Sequence, residues 1–128
     1  MKRNTFHYEK GKEGEEIARA FLVQQGYTIL SANWHWHHYE LDIVATYGEE
    51  LVIVEVKTRS ENFLVDPEEA IDKGKIRRLV AAADAYARLY NWEGPVRFDI
   101  IFLIGSAEHH YQLEHLEDAF YPPVRYGK

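Results

Sequence analysis

Four ionisable residues in "YELDIVAT" (39–46) and "LVIVEVKTR" (51–59) sit inside runs that otherwise read as covered β-strands. Val52, Ile53, Val54 and Val56 are β-branched and apolar, the composition of a strand buried on both faces. Glu55 and Lys57 in such a strand each cost several kcal/mol unless they are paired or ligated. Residues two apart in a strand share a face, so Glu55 and Lys57 point the same way, roughly 6–7 Å apart along the chain. Glu40 and Asp42 in the preceding run do the same. If "YGEE" closes about Gly48–Glu49, with glycine first as a type II′ turn prefers, Asp42 falls opposite Glu55 and Glu40 opposite Lys57. Opposed side chains approach to about 4.5–5.5 Å at Cβ. Two carboxylates at that distance repel unless a proton or a cation lies between them. Oxygen donors of this kind suit a hard cation such as Mg²⁺, with Mn²⁺ as a substitute. Taken singly, Glu40–Lys57 reads as a cross-strand ion pair and Asp42 as a half-exposed acid near a sheet edge. Taken together, the converging acids and lysine favour a site for metal-assisted hydrolysis.

The elements that must position these residues follow from local patterning. From Lys12 to Gln25 the spacing is helical, with Ile17, Ala18, Phe21 and Leu22 on one face and Gly26 as the stop. Residues 1–10 are polar and are assigned to a loose leading segment. "YTILSANW" (27–34), "YELDIVAT" and "LVIVEVKT" (51–58) predict three strands. "DPEEA" predicts a helix start, with Asp66 as cap, Pro67 in the first turn and Glu69 at the capping-box position. That helix is expected to reach about Tyr90, burying Ile76, Leu79, Val80, Ala83, Tyr86 and Tyr90. "VRFDIIFLIG" (96–105) predicts another strand, and "YQLEHLEDAF" an edge strand or helical turn. The order α-β-β-β-α-β predicts an α/β domain with a mixed sheet flanked by helices, spanning 11–121, with 122–128 as a tail.

The ordered blocks "GKEGEEIARAFLVQQGYTIL", "ELDIVA", "VIVEVKTRS", "RFDII" and "HLEDAF" resemble the YraN-like family of bacterial proteins. "ELD" followed after twelve residues by "EVK" also resembles the PD-(D/E)XK nuclease motif. The resemblance covers nearly the whole chain and implies a restriction-endonuclease-like fold similar to archaeal Holliday junction resolvases. It implies Asp42 and Glu55 as metal ligands, with the Val56 carbonyl as a further ligand. It also implies that Lys57 orients water and stabilises charge on the phosphate, and that Glu15 completes the site. The helical wheel separately places Glu15 about 20° from Leu22, bordering the buried stripe, while Glu16 points outward. Many family members carry glycine where this chain has Tyr39, which narrows the approach to the site or offers a ring for a base to stack on.

Other features are weighed against this cluster. "HWHH" puts His35 and His37 on one predicted strand face, but without cysteine or a helical H-E-x-x-H spacing it reads as an exposed aromatic and imidazole surface, a candidate base-stacking platform. Lys73, Lys75, Arg77 and Arg78 form the densest basic group, which reads equally as a solvated helix face or a phosphate contact; the family resemblance implies Lys75 as the first candidate for that contact, and Arg59 is another. Arg97 and Asp99 read as a structural ion pair on one strand face.

Composition sets the bounds. The chain has 128 residues, 46% hydrophobic and 28% charged, enough for one core and not disordered. With no cysteine, a disulfide frame is excluded. No apolar run reaches membrane-spanning length and the start "MKRNTFHYEK" carries no signal pattern, so a cytoplasmic protein without membrane association is expected. The net charge of −6 opposes nucleic-acid binding by bulk charge but not by a local basic patch. The expectation is a Mg²⁺- or Mn²⁺-dependent endonuclease on branched or structured DNA, for which a two-fold homodimer suits cutting of two strands. The alternative is a nuclease-fold module that binds nucleic acid or a protein partner without turnover.

Overall fold

The structure is a computed structural model that describes residues 2–59, 73–106, 108 and 110–120, with side chains from residue 12 onward. Its elements are α1 (Lys2–Gln24), β1 (Thr28–Trp36), β2 (Tyr39–Tyr47), β3 (Glu50–Arg59), α2 (Lys73–Leu89), β4 (Val96–Ser106) and β5 (His110–Leu116). The strands form one sheet in the order β1-β2-β3-β4-β5. Only β3 and β4 are parallel; the other neighbours are antiparallel hairpins. This is the expected mixed α/β sheet, with α2 as the crossover that parallel strands require. The proposed cap at Asp66, Pro67 and Glu69 lies outside the described residues.

Helix α1 begins at Lys2, so residues 2–10 continue the helix instead of forming the loose segment assigned to them. No proline or glycine interrupts that stretch. Both helices end in the same way. Gly26, at φ 99°, lets Tyr27 N–H reach the Leu22 carbonyl at 2.9 Å and Gly26 N–H reach Val23 at 3.0 Å. Asn91, at φ 59°, does the same for α2, with Trp92 N–H donating to Ala87 at 2.8 Å and Asn91 N–H to Arg88 at 3.3 Å. These are paired 6→1 and 5→2 closures of a left-handed cap, and Asn91 stops α2 ahead of Gly94 and Pro95. Tyr90 therefore falls beyond the helix and is 56% exposed, outside the stripe formed by Leu79, Ala82, Ala83 and Tyr86.

The two helices cover opposite faces of the sheet. Ala18 and Leu22 of α1 pack on Ile43, Ala45, Val52, Val54, Ile101 and Leu103, with Val56 alongside. Leu79, Ala82, Ala83 and Tyr86 of α2 pack on Val44, Leu51, Ile53 and Phe98. An α1 that brings Glu15 to complete a site with Glu55 and Lys57 is expected over their face of β3; the structure puts it over the valines instead. Valine alternation identifies two faces but not which helix takes which, because both helices are apolar along one stripe.

A carboxylate cluster where two strands part

The β2–β3 hairpin has the predicted register. Its ladder runs from Tyr47↔Glu50 to Ile43↔Val54, about a turn in which Gly48 takes φ 60°. The next pair in that series is Asp42 and Glu55, and there the backbone ladder stops. The Asp42 carboxylate replaces it: Oδ2 accepts a 2.9 Å hydrogen bond from the Val56 N–H. Val56, proposed as a ligand through its carbonyl, contributes its amide to the site in this way.

The cause of the parting lies in β1. Asn33 has φ 53° and stands opposite Asp42, between the pairs Ala32↔Ile43 and Trp34↔Leu41. A left-handed residue breaks the period-two alternation. Ile43 faces α1, yet Leu41 joins the cluster under α2, and both Ser31 and Trp34 reach Tyr86. The strands thus turn over at Asn33 and Asp42, which releases Asp42 from the sheet. Asparagine is disfavoured within strands and enriched at positive φ, so "SANW" held this signal, although the strand reading passed over it.

Helix α1 reaches the cluster through Gly14. A Cβ there would lie 2.5 Å from the Thr58 hydroxyl at the end of β3, a contact no real side chain makes. The hydrogen on Gly14 allows the close approach, and the next residue, Glu15, is carried over the strand ends. Glu15 hydrogen-bonds Asn33, and burial together with Glu40 and Glu55 raises its pKa. One carboxylate oxygen from each of Glu15, Glu40 and Asp42 lies within 4.8 Å of the others. Glu40, expected opposite Lys57 in support of the site, is thus part of the acid group itself, and it also approaches His35 at 3.9 Å.

Glu55 closes the cluster from the α2 side and is only 7% exposed along its side chain. Its Oε2 is 3.3 Å from Lys75 Nζ and 3.8 Å from Lys57 Nζ. Lys57 therefore pairs with its neighbour on β3 rather than across the hairpin with Glu40. Burial first, and then the charge of Glu55, push the Asp42 carboxyl up to about 8 against the lowering effect of the Val56 amide. The charged form of Asp42 is disfavoured because burial and the neighbouring acids outweigh the Val56 amide.

The remaining basic candidates separate. Lys75 and Arg78 line a cavity of about 120 Å³ with His38, Tyr39 and Glu40. Lys73 and Arg77 are exposed and stand outside that lining. Arg59 Nη1 donates to the Thr58 carbonyl at 2.9 Å. His37 lies past the end of β1 in a turn with φ 57°, so it does not share a strand face with His35. Arg97 and Asp99 are bonded to each other at 2.9 and 2.8 Å, the structural pair expected of them.

The fold and site define a single α/β unit, a five-stranded mixed sheet between two helices with a carboxylate–lysine cluster at the parting of β2 and β3. Residues 14–103 match the family described as "Uncharacterised protein family UPF0102", and the chain belongs to that family. It is 60% identical over 117 residues to a UPF0102 protein of Parabacteroides distasonis, covering 91% of this chain and 96% of that one. It is 52% identical over 118 residues to a UPF0102 protein of Bacteroides thetaiotaomicron, covering 92% and 97%. Among the described residues, no helix is long and apolar enough to cross a membrane.

Proposed function

We propose that this protein is a Mg²⁺- or Mn²⁺-dependent endonuclease of restriction-endonuclease-like fold that hydrolyses DNA phosphodiesters, in branched or structured DNA. The observation that carries the reading is the packing of Glu15, Glu40 and Asp42 oxygens within 4.8 Å of one another, with Asp42 raised to about 8. Carboxylate oxygens gathered this closely could share one small divalent cation after an inward shift of their side chains. The donor set is all oxygen and negatively charged, which suits a hard cation and not a soft one.

A divalent cation there supplies Lewis-acid activation of water and neutralises charge on the phosphate. Glu15, Glu40 and Asp42 would hold it, with Glu55, paired here with Lys57 and Lys75, as a further ligand. Lys57 is 18% exposed at the end of β3, so its ammonium can orient water and stabilise the developing charge on the phosphate. Lys75, paired with the same carboxylate, binds a phosphate oxygen from the α2 side. Cutting both strands of a junction takes two such sites, which a homodimer provides.

The test is cleavage of linear, nicked, flap and four-way-junction DNA with Mg²⁺ or Mn²⁺. Metal-dependent cleavage lost in Asp42→Asn and Lys57→Ala supports the reading; cleavage unchanged in both variants overturns it. Salt-dependent DNA binding without cleavage under either metal selects the non-catalytic binding module instead.

A further inference from the structure

Among the described residues, β1–β2 and β2–β3 are both joined by two-residue turns, His37–His38 and Gly48–Glu49, and the contrast lies in the first residue of each. In β2–β3 the first turn residue is Gly48, at φ 60°; in β1–β2 it is His37, at φ 57°. Glycine adopts that conformation freely and histidine does not. The β1–β2 tip therefore keeps a side chain where backbone geometry asks for none. Around it stand further rings: Trp36 lies 4.6 Å from His37 and 5.6 Å from Tyr39, centre to centre. Trp36 and Tyr39 are direct cross-strand partners and only half-buried, so their rings keep accessible surface.

The tip adjoins the cavity of about 120 Å³ that His38 and Tyr39 share with Lys75 and Arg78. Arg78 and His38 are exposed, and Lys75 also contacts Glu55 at 3.3 Å. Cationic side chains beside partly exposed rings are the two parts of a single-strand binding surface: charge for the phosphate and a flat face for the base.

We propose that the β1–β2 hairpin tip and this cavity form a binding site for one unpaired nucleotide of DNA. The phosphate sits against Lys75, Arg78 and His38, and the base stacks on the Trp36–Tyr39 face. The inference rests on the phosphodiester reading of the carboxylate cluster, because Lys75 joins the two. It gives that cluster a substrate preference: a phosphodiester flanked by an unpaired base, as at a flap or a junction, over continuous duplex.

Binding separates this inference from cleavage. In EDTA, fluorescence anisotropy of labelled oligothymidine, a flap duplex and a continuous duplex is titrated with wild-type protein and with Trp36→Ala, Trp36→Phe and Arg78→Glu. Loss of one stacked base weakens binding by about 5- to 100-fold. That loss is expected for Trp36→Ala on oligothymidine and flap DNA, with under about 2-fold change on duplex and rescue by Trp36→Phe. Arg78→Glu, a surface change that leaves the rings in place, is expected to weaken the same two ligands. Equal weakening on all three DNAs, or none with either variant, overturns the inference. Selective weakening without any cleavage in Mg²⁺ or Mn²⁺ upholds the nucleotide site and removes the nuclease reading. Cleavage in wild type with no selective loss in the variants does the reverse.

Discussion

Two charged clusters lie on this sheet, and they are built on opposite plans. In one, Arg97 and Asp99 sit two apart on β4, buried against α1. Asp99 Oδ1 accepts from Arg97 Nε at 2.9 Å and the Asp118 amide at 3.0 Å; Oδ2 accepts from Arg97 Nη2 at 2.8 Å and lies 2.7 Å from His115 Nε2. Arg97 also donates to the Tyr27 hydroxyl at 2.6 Å and to Glu50 at 3.1 Å. Burial alone would raise Asp99, but His115, Arg97 and the Asp118 amide hold it below the usual carboxylate range. In the other cluster, Glu15, Glu40, Asp42 and Glu55 converge on two lysines, and Asp42 is driven up to about 8. Burial of a charge in a strand does not by itself mark a site. A balanced and fully bonded set ties elements together; an acid-rich set asks for a cation.

The largest expected effect is on chemistry. Asp42→Asn is expected to lower metal-dependent DNA cleavage by about 100-fold or more, since it removes charge where the transition state gains most from it. The same variant is expected to fold normally. Asp99→Asn should behave in the opposite way, costing about 3–5 kcal/mol in urea unfolding because Arg97 loses its buried counter-charge and keeps only partly exposed carboxylates such as Glu50. Cleavage per folded molecule is expected to stay within about 2-fold of wild type; a comparable loss of activity in both variants would erase the distinction between the clusters.

The pH dependence sharpens the contrast by its sign. Folded Asp42 keeps its proton to about 8, whereas the unfolded carboxyl releases it near the ordinary value of 3.8. The folded state therefore binds more protons across that window, and this group's contribution to stability falls as pH rises through it. For Asp99 the folded pKa is depressed, so its contribution is present above the ordinary carboxylate range and is lost as pH falls through the folded value. Melting in EDTA is expected to drop by about 4 °C or more between pH 5 and pH 9, a drop that Asp42→Asn flattens and that Mg²⁺ or Mn²⁺ offsets. An identical pH slope in wild type and Asp42→Asn would contradict the raised carboxyl.

Smaller effects test how the elements are brought together. Gly14→Ala is expected to cost about 1–3 kcal/mol, because its Cβ meets the Thr58 hydroxyl at 2.5 Å and α1 must back away. His37→Gly is expected to raise stability by up to about 1 kcal/mol by relieving the left-handed turn, as read by thermal unfolding. Loss of stability on His37→Gly would show that the ring supports the turn.

Much of this was legible in the chain. Valine and isoleucine runs gave β2, β3 and β4, and the turn chemistry of "YGEE" gave the hairpin register that brings Asp42 toward Glu55. The Arg97–Asp99 pairing followed from spacing on one strand face. What could not be read was the inversion at Asn33 and Asp42, because a single left-handed residue in "SANW" changes which face every later side chain takes. For the same reason Glu40 was placed opposite Lys57 instead of beside Glu15. Beyond Arg97, the partners of Asp99 come from β5 and the turn after it, while Arg97 reaches Tyr27 and Glu50, and such distant contacts leave no local pattern.

The most direct test is anomalous diffraction at the manganese edge from crystals soaked in Mn²⁺. The expected result is a peak within coordination distance of Glu15, Glu40 and Asp42 oxygens, absent in Asp42→Asn crystals. No peak at the parting of β2 and β3, with Glu55 still held by Lys57 and Lys75 and Asp42 still on the Val56 amide, would contradict the metal site.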